Sequence, residues 1–126
     1  MKRVTGIGGI FFKCKNPEQI REWYKTVLGI NSDEYGSKFM WRDIDDKNKK
    51  GSTVWSPFPE NTDYFDPGGK DFMINYRVEN LKELIEQLRK EGVEILGSVV
   101  EYDYGKFAWI RDPEGNKIEL WEPVGE

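Results

Sequence analysis

Glu119 is the residue of this chain whose type and position are best suited to chemistry. It lies between Ile118 and Leu120 in the run Lys117–Glu122, where alternating apolar and polar side chains predict a β-strand. A carboxylate in the middle of such a strand either faces solvent or lines a pocket. The chain has no histidine, so the commonest general base and the commonest transition-metal ligand are both missing.

Composition limits the classes of function that need to be considered. With 126 residues the chain is expected to form one domain, and its net charge of −4 argues against a nucleic-acid partner. No apolar run is long enough to span a bilayer, so no membrane partner is expected. The single cysteine, Cys14, cannot form an internal disulfide, and the start of the chain does not resemble a signal peptide. We expect a soluble, cytoplasmic protein.

The elements that position Glu119 follow a similar pattern twice, a strand, a helix and then further strands, two in the first half and three in the second. Asn16 and Asn80 have the residue type and spacing of helix N-caps, while Gly29 and Gly92 are expected to end the two helices. The apolar face of the first helix comprises Ile20, Trp23, Tyr24, Val27 and Leu28, and that of the second comprises Leu81, Leu84, Ile85 and Leu88. The predicted strands cover residues 4–13, 38–44, 52–55, 71–78, 94–100, 106–111 and 117–122.

The two halves also share short strings of residues. The string at 38–41, KFMW, is echoed by KFAW at 106–109, and TVWSP at 53–57 is echoed by ELWEP at 119–123. We therefore divide the chain into repeat one (about 4–58), a linker (about 59–70) and repeat two (about 71–123). The predicted fold class is α+β, with two tandem βαβββ modules that form a cleft in a curled mixed sheet.

Three sequence features together resemble the vicinal oxygen chelate superfamily, the group of glyoxalases, bleomycin resistance proteins and extradiol dioxygenases. They are Trp23-Tyr24, Leu28-Gly29 and the segment DPEGNKIEL at 112–120. The last is similar to the closing segment of that family, and the resemblance covers residues 4–123. It implies a homodimer, and a pocket for a small molecule.

In metal-dependent members of this superfamily, four strand positions supply the metal ligands. The resemblance places the equivalent positions here at Gly9, Thr53, Met73 and Glu119, of which only Glu119 is a good ligand. A divalent ion needs several converging oxygen or nitrogen donors. We therefore expect no metal cofactor, although unusual ligands could still complete a divalent site.

What remains is a pocket with Glu119 as its polar anchor, suited to a flat aromatic or cationic ligand. The remaining candidate pocket residues are Asn75, Arg77, Phe11, Trp41, Trp55, Trp109 and Trp121. The leading hypothesis is a metal-independent small-molecule binding protein, similar to bleomycin resistance proteins. The alternatives are a lactoylglutathione-lyase-like lyase or isomerase that uses Glu119 as base or metal ligand, and an interaction module with a vestigial cleft. A structural alternative to the pocket is that Glu119 forms an ion pair with Arg77 and that the aromatic side chains fill a core.

Overall fold

The computed structural model describes residues 2–125, which form two helices and one mixed sheet of eight strands. The predicted α+β fold class is confirmed. In chain order the elements are β1 (Val4–Cys14), α1 (Pro17–Leu28), β2 (Ser37–Arg42), β3 (Lys50–Pro59), β4 (Phe72–Val78), α2 (Leu81–Lys90), β5 (Glu94–Ile95), β6 (Val100–Tyr102), β7 (Gly105–Arg111) and β8 (Lys117–Pro123). No helix within residues 2–125 is both long and apolar enough to cross a membrane.

The sheet joins its two halves at the antiparallel pair of β1 and β4. Its strand order is β2-β3-β1-β4-β8-β7-β5, and β6 pairs separately with β7. On each side of the centre the next strand runs parallel, β3 beside β1 and β8 beside β4, and is followed by its antiparallel hairpin partner. This matched order brings residues of both repeats to the middle of one sheet.

Both helices begin with the asparagine caps that the sequence predicts. The Asn16 side chain accepts a hydrogen bond from the backbone N–H of Gln19 at 3.1 Å, and Asn80 accepts one from that of Glu83 at 3.3 Å. Gly29 ends α1 with a positive φ of 72°, a conformation that residues with a Cβ rarely adopt.

The main apolar core lies between α2 and the second half of the sheet. All four predicted apolar residues of α2 are buried there against Val78, Ala108 and Leu120. In α1, by contrast, none of the residues is buried, although the predicted stripe is present. Tyr24 of α1 packs on Trp55 of β3, with 4.8 Å between ring centroids, while Trp23, Val27 and Leu28 remain more than half exposed.

Three predicted strand boundaries are wrong. Residues 94–100 do not form one strand, because the chain turns at Gly97 with φ 82° and leaves the short strands β5 and β6. The strand predicted to reach Ile44 ends at Arg42, and Ile44 is 98% exposed. The strand predicted to end at Trp55 continues to Pro59. Beyond Trp55 its only strand partner is β1, so its other edge is unpaired. Proline is tolerated where one edge of a strand has no partner, and the strand can therefore include Pro57 and Pro59.

Candidate small-molecule binding site

A cavity of about 640 Å³ lies over the middle of the sheet and is lined by residues of both repeats. Gly8, Ser56, Asn75 and Glu119 are its buried lining residues. Glu34 and Lys38 supply charged side chains at its exposed end. Six aromatic side chains complete most of the wall, and these are Phe11, Tyr35, Phe58, Tyr104, Phe107 and Trp121. The volume is within the range of pockets for small organic molecules.

Glu119 is 3% exposed, and its carboxylate accepts three hydrogen bonds. Asn75 Nδ2 donates to Oε1 at 2.6 Å, Trp109 Nε1 donates to Oε2 at 2.9 Å, and the Tyr64 hydroxyl also donates to Oε2. Asn75 and Trp109 reach the carboxylate because they lie directly opposite Glu119 on the two neighbouring strands, β4 and β7. Sheet register therefore positions two of the three donors.

Tyr64 comes from the segment between β3 and β4, within the predicted linker of about residues 59–70. Burial, followed by the charge of Glu119 and the hydrogen bond to it, raises the pKa of the Tyr64 hydroxyl. The hydroxyl therefore stays protonated and acts as a donor. The signal available in the sequence was the aromatic pair Tyr64-Phe65 in an otherwise polar stretch, and Phe65 is 1% exposed.

The charge of Glu119 has no direct ionic partner within residues 2–125. Every ion pair in that part of the chain involves other carboxylates. The nearby Lys117 ammonium lies 5.1 Å from the ring centroid of Tyr64 and 5.7 Å from that of Trp109. Burial lowers the pKa of Lys117, and the charge of Glu119 acts in the opposite direction. The carboxylate is thus held by neutral donors.

The alternative of a Glu119–Arg77 ion pair is therefore not what the structure contains. Arg77 instead lies between two indole rings, 5.4 Å from the centroid of Trp41 and 5.0 Å from that of Trp121. Gly6 and Gly51 make room for Trp41, since a Cβ at either position would lie less than 3 Å from its ring. This sandwich joins the two repeats by cation–π contact.

The structure brings half of the predicted pocket residues to the cavity. Glu119, Asn75, Phe11 and Trp121 line it. The other four predicted residues do not line it. Trp109 donates a hydrogen bond to Glu119 from the neighbouring strand, and Trp55 packs against α1. Trp41 and Arg77 form the cation–π sandwich. Phe107, which lines the wall, could have been found by strand parity, since it shares a face with Trp109 and pairs with Trp121.

The residues around Glu119 do not fit a divalent metal. The structure places Gly8, Val54 and Asn75 at the cavity, one or two residues from the expected Gly9, Thr53 and Met73. Among these three residues only Asn75 has a side-chain oxygen that could bind a metal. The carboxylate of Glu119 already accepts three hydrogen bonds. Within residues 2–125 no group of three His, Cys, Asp or Glu side chains could hold an ion. A divalent ion needs more donors than these.

The comparisons with known proteins agree with this fold. The family model described as the Glyoxalase/Bleomycin resistance protein/Dioxygenase superfamily matches residues 6–120. Comparison with the curated proteins finds no match.

Several solved structures share the fold at low sequence identity. A variant of Streptomyces coelicolor methylmalonyl-CoA epimerase in complex with 2-nitronate-propionyl-CoA is 15% identical with a TM-score of 0.70, covering 97% of this chain and 99% of that one. Methylmalonyl-CoA epimerase from Mycobacterium tuberculosis is 20% identical with a TM-score of 0.60, covering 99% and 92%. A superfamily member from Vibrio splendidus 12B01 is 10% identical with a TM-score of 0.55, covering 92% and 97%.

Proposed function

We propose that this chain, which belongs to the Glyoxalase/Bleomycin resistance protein/Dioxygenase superfamily, is a metal-independent small-molecule binding protein. The observation that carries the proposal is the cavity of about 640 Å³, in which six aromatic side chains surround a buried carboxylate. Aromatic rings attract flat molecules by stacking and cations by their negative faces. The ligand class is therefore an aromatic or cationic small molecule, with Glu119 as the anchoring charge.

The electrostatics of the cavity favour a cation over a neutral ligand. A buried carboxylate without an ionic partner is costly, and a cation in the cavity would offset its charge. Phe107 and Trp121 add two nearly parallel rings, with centroids 6.1 Å apart and planes 6° apart. A ligand cation held beside these rings and near Glu119 would have favourable contacts on several sides.

A lyase or isomerase remains the second hypothesis from the sequence, and the geometry favours it less. It requires Glu119 to take up a proton or to bind a metal. Its three donors leave the carboxylate one acceptor site, on Oε1, for a proton or a metal. The binding function needs no such step.

We also propose that the protein is a homodimer and that the exposed face of α1 forms part of its interface. Trp23, Val27 and Leu28 are 51%, 55% and 59% exposed and lie on one side of the helix. Contiguous apolar patches of this kind mark interaction surfaces in soluble proteins. A second copy of the same chain would cover them.

The binding proposal is tested by titrating the protein with benzyltrimethylammonium and following intrinsic tryptophan fluorescence, with and without a chelator. We expect saturable quenching that the chelator does not change. Phe107→Leu, which alters the cavity wall, should weaken binding about tenfold, in line with the loss of one cation–π contact. Phe72→Leu is the matched control, because Phe72 is 47% exposed and does not line the cavity.

Two outcomes would contradict the proposal. A flat titration of the wild-type protein with benzyltrimethylammonium and with benzylammonium would remove the binding function. Near-stoichiometric zinc or manganese in untagged protein, lost in Glu119→Ala, would remove its metal independence. Elemental analysis measures the second directly.

A further inference from the structure

We propose that Tyr104, at the open end of the cavity, stacks against a second flat group of the ligand. The ligand class is then an elongated aromatic ammonium, with its cation near Glu119 and an outer ring on Tyr104. This inference rests on the proposed binding function and narrows it from any small molecule to an extended one.

Tyr104 is a largely exposed aromatic residue that also belongs to the cavity wall. It is 64% exposed and lines the cavity together with Val124, which is 60% exposed. The backbone N–H of Val124 donates a hydrogen bond to the Tyr104 carbonyl at 3.4 Å, so the two residues are held side by side. Exposed apolar side chains that continue a pocket wall offer further surface for a ligand.

Neighbouring rings hold the Tyr104 side chain in place. Tyr102 stacks on it, with ring centroids 5.2 Å apart and planes 7° apart, and Phe107 makes an edge contact with each of these two rings at 6.0 Å. Tyr102 does not line the cavity, so it supports Tyr104 from outside the site. A side chain that is already ordered loses little conformational entropy when a ligand binds. Tyr104 is thus a preorganised surface for stacking.

An aromatic path joins this ring to the buried end of the cavity. Phe107 is nearly parallel to Trp121, with centroids 6.1 Å apart, and Trp121 lies two residues from Glu119 in β8. Gly105 lets the turn approach this path closely, since a Cβ at that position would lie 2.7 Å from Trp121 Nε1. A ligand that extends from Glu119 to the mouth therefore meets aromatic side chains along one wall.

The span between the two ends requires more than one ring. Gly105, the residue after Tyr104, pairs with Pro123, which lies four residues beyond Glu119 in β8. Four residues of an antiparallel strand span about 14 Å. A single ring with an ammonium is too short to contact both Glu119 and Tyr104, whereas two linked rings approach that span. The cavity of about 640 Å³ has room for such a molecule.

The test compares three ammonium probes with the same inner ring. Benzylammonium has no outer group, 4-phenylbenzylammonium adds a flat ring, and 4-cyclohexylbenzylammonium adds a ring of similar size without an aromatic face. Isothermal titration calorimetry measures the three affinities. We expect the phenyl probe to bind the wild-type protein at least about threefold more tightly than either of the others, the size of one aromatic pair.

Two variants locate the effect. Tyr104→Leu keeps an apolar side chain but removes the ring, and should abolish the preference for the phenyl over the cyclohexyl probe. Tyr35→Leu is the matched control, because Tyr35 also lines the cavity and is 78% exposed, but no ring within residues 2–125 packs against it. It should keep the preference whatever its effect on the affinities themselves.

Nuclear magnetic resonance provides a measurement that needs no variant. The ring proton signals of Tyr104 should shift with the phenyl probe and much less with benzylammonium. Equal affinities for the phenyl and cyclohexyl probes, or a preference lost in Tyr35→Leu and kept in Tyr104→Leu, would overturn the inference and leave the binding function intact.

Two further outcomes separate this inference from the other proposals. If Tyr104→Leu weakens self-association in sedimentation velocity and keeps the probe preference, the exposed rings contact a second copy of the chain, and the inference is wrong. Absence of binding by all three probes would instead overturn the proposed function itself.

Discussion

The two helices of this protein have similar sequence signals but lie in different environments. Each has an asparagine cap and an apolar stripe, yet α2 buries four residues and α1 buries none. The contacts of the two helices with the sheet differ accordingly. Ala108 and Leu120 of the second repeat are buried in the core with α2, whereas α1 contacts the sheet through Tyr24, which packs on Trp55 of β3.

The comparison teaches that amphipathic pattern and burial are separate properties. Pattern decides that a helix forms and which side of it is apolar. Burial depends on whether the rest of the fold covers that side. In the second repeat the strand residue Ile95 and the neighbouring Val93 and Val99 pack against the core beneath α2. In the first repeat we assign that covering role to a second copy of the chain.

The largest expected effect is on the stability of the protein, where matched substitutions in α2 and α1 can be compared. Leu84→Ala should lower the free energy of unfolding by about 2–5 kcal/mol, because Leu84 is 3% exposed in the core. Leu28→Ala is the matched change in α1 and should cost no more than about 0.5 kcal/mol, because Leu28 is 59% exposed. Urea unfolding at low protein concentration, followed by circular dichroism, measures both. Equal losses would mean that α1 is packed as tightly as α2.

The next effect concerns assembly. Val27→Lys places a charge on the exposed apolar face of α1 and should raise the dimer dissociation constant at least about tenfold. Thr26→Lys adds the same charge to the neighbouring polar position of the helix and should leave assembly unchanged. Sedimentation velocity over a range of concentrations measures both variants. A wild-type protein that stays monomeric, or variants that behave alike, would refute the interface.

The smallest effect is a pH dependence at the far end of α2. Arg3 forms two hydrogen bonds to Glu91, with N–O distances of 3.0 and 2.5 Å, and this contact, helped by Gln87, lowers the pKa of Glu91 from 4.5 to about 2. Because the pKa is depressed in the folded protein, the contribution to stability is present above about pH 4.5 and is lost as the pH falls toward 2.

The pH effect is measured by comparing Tm at pH 5 and pH 2 in the wild type and in Glu91→Gln. The variant should lose less stability on acidification than the wild type does. Glu86→Gln, an exposed glutamate on the same helix, is the control and should follow the wild type. The difference should be small, because both partners are exposed and surface ion pairs contribute little.

Local sequence signals were sufficient for much of the fold. The connection between β7 and β8 shows why, since Asp112 Oδ1 accepts from the backbone N–H of Glu114 at 2.9 Å and of Asn116 at 3.0 Å, and Gly115 has φ 85°. These interactions lie within five residues, so residue type predicts them. The same holds for the helix caps.

The candidate site was predicted only in part. Glu119, Asn75, Phe11 and Trp121 line the cavity, because strand parity constrains the face on which they lie. The sequence does not predict the position of Tyr64, because a connecting segment has no periodicity from which the direction of a side chain could be inferred. Trp55 packs against α1 instead of lining the cavity. The sequence does not distinguish these two positions, because a large aromatic residue suits both.

The sequence by itself determined the α+β class, the helix ends, the closing hairpin and the position of Glu119 in mid-strand, because these follow from contacts between residues close in the chain. Only the tertiary structure decided what surrounds Glu119. Its three donors come from β4, β7 and the segment after β3, up to 55 residues away. Such contacts depend on sheet register and on the packing of distant segments, which no local pattern encodes.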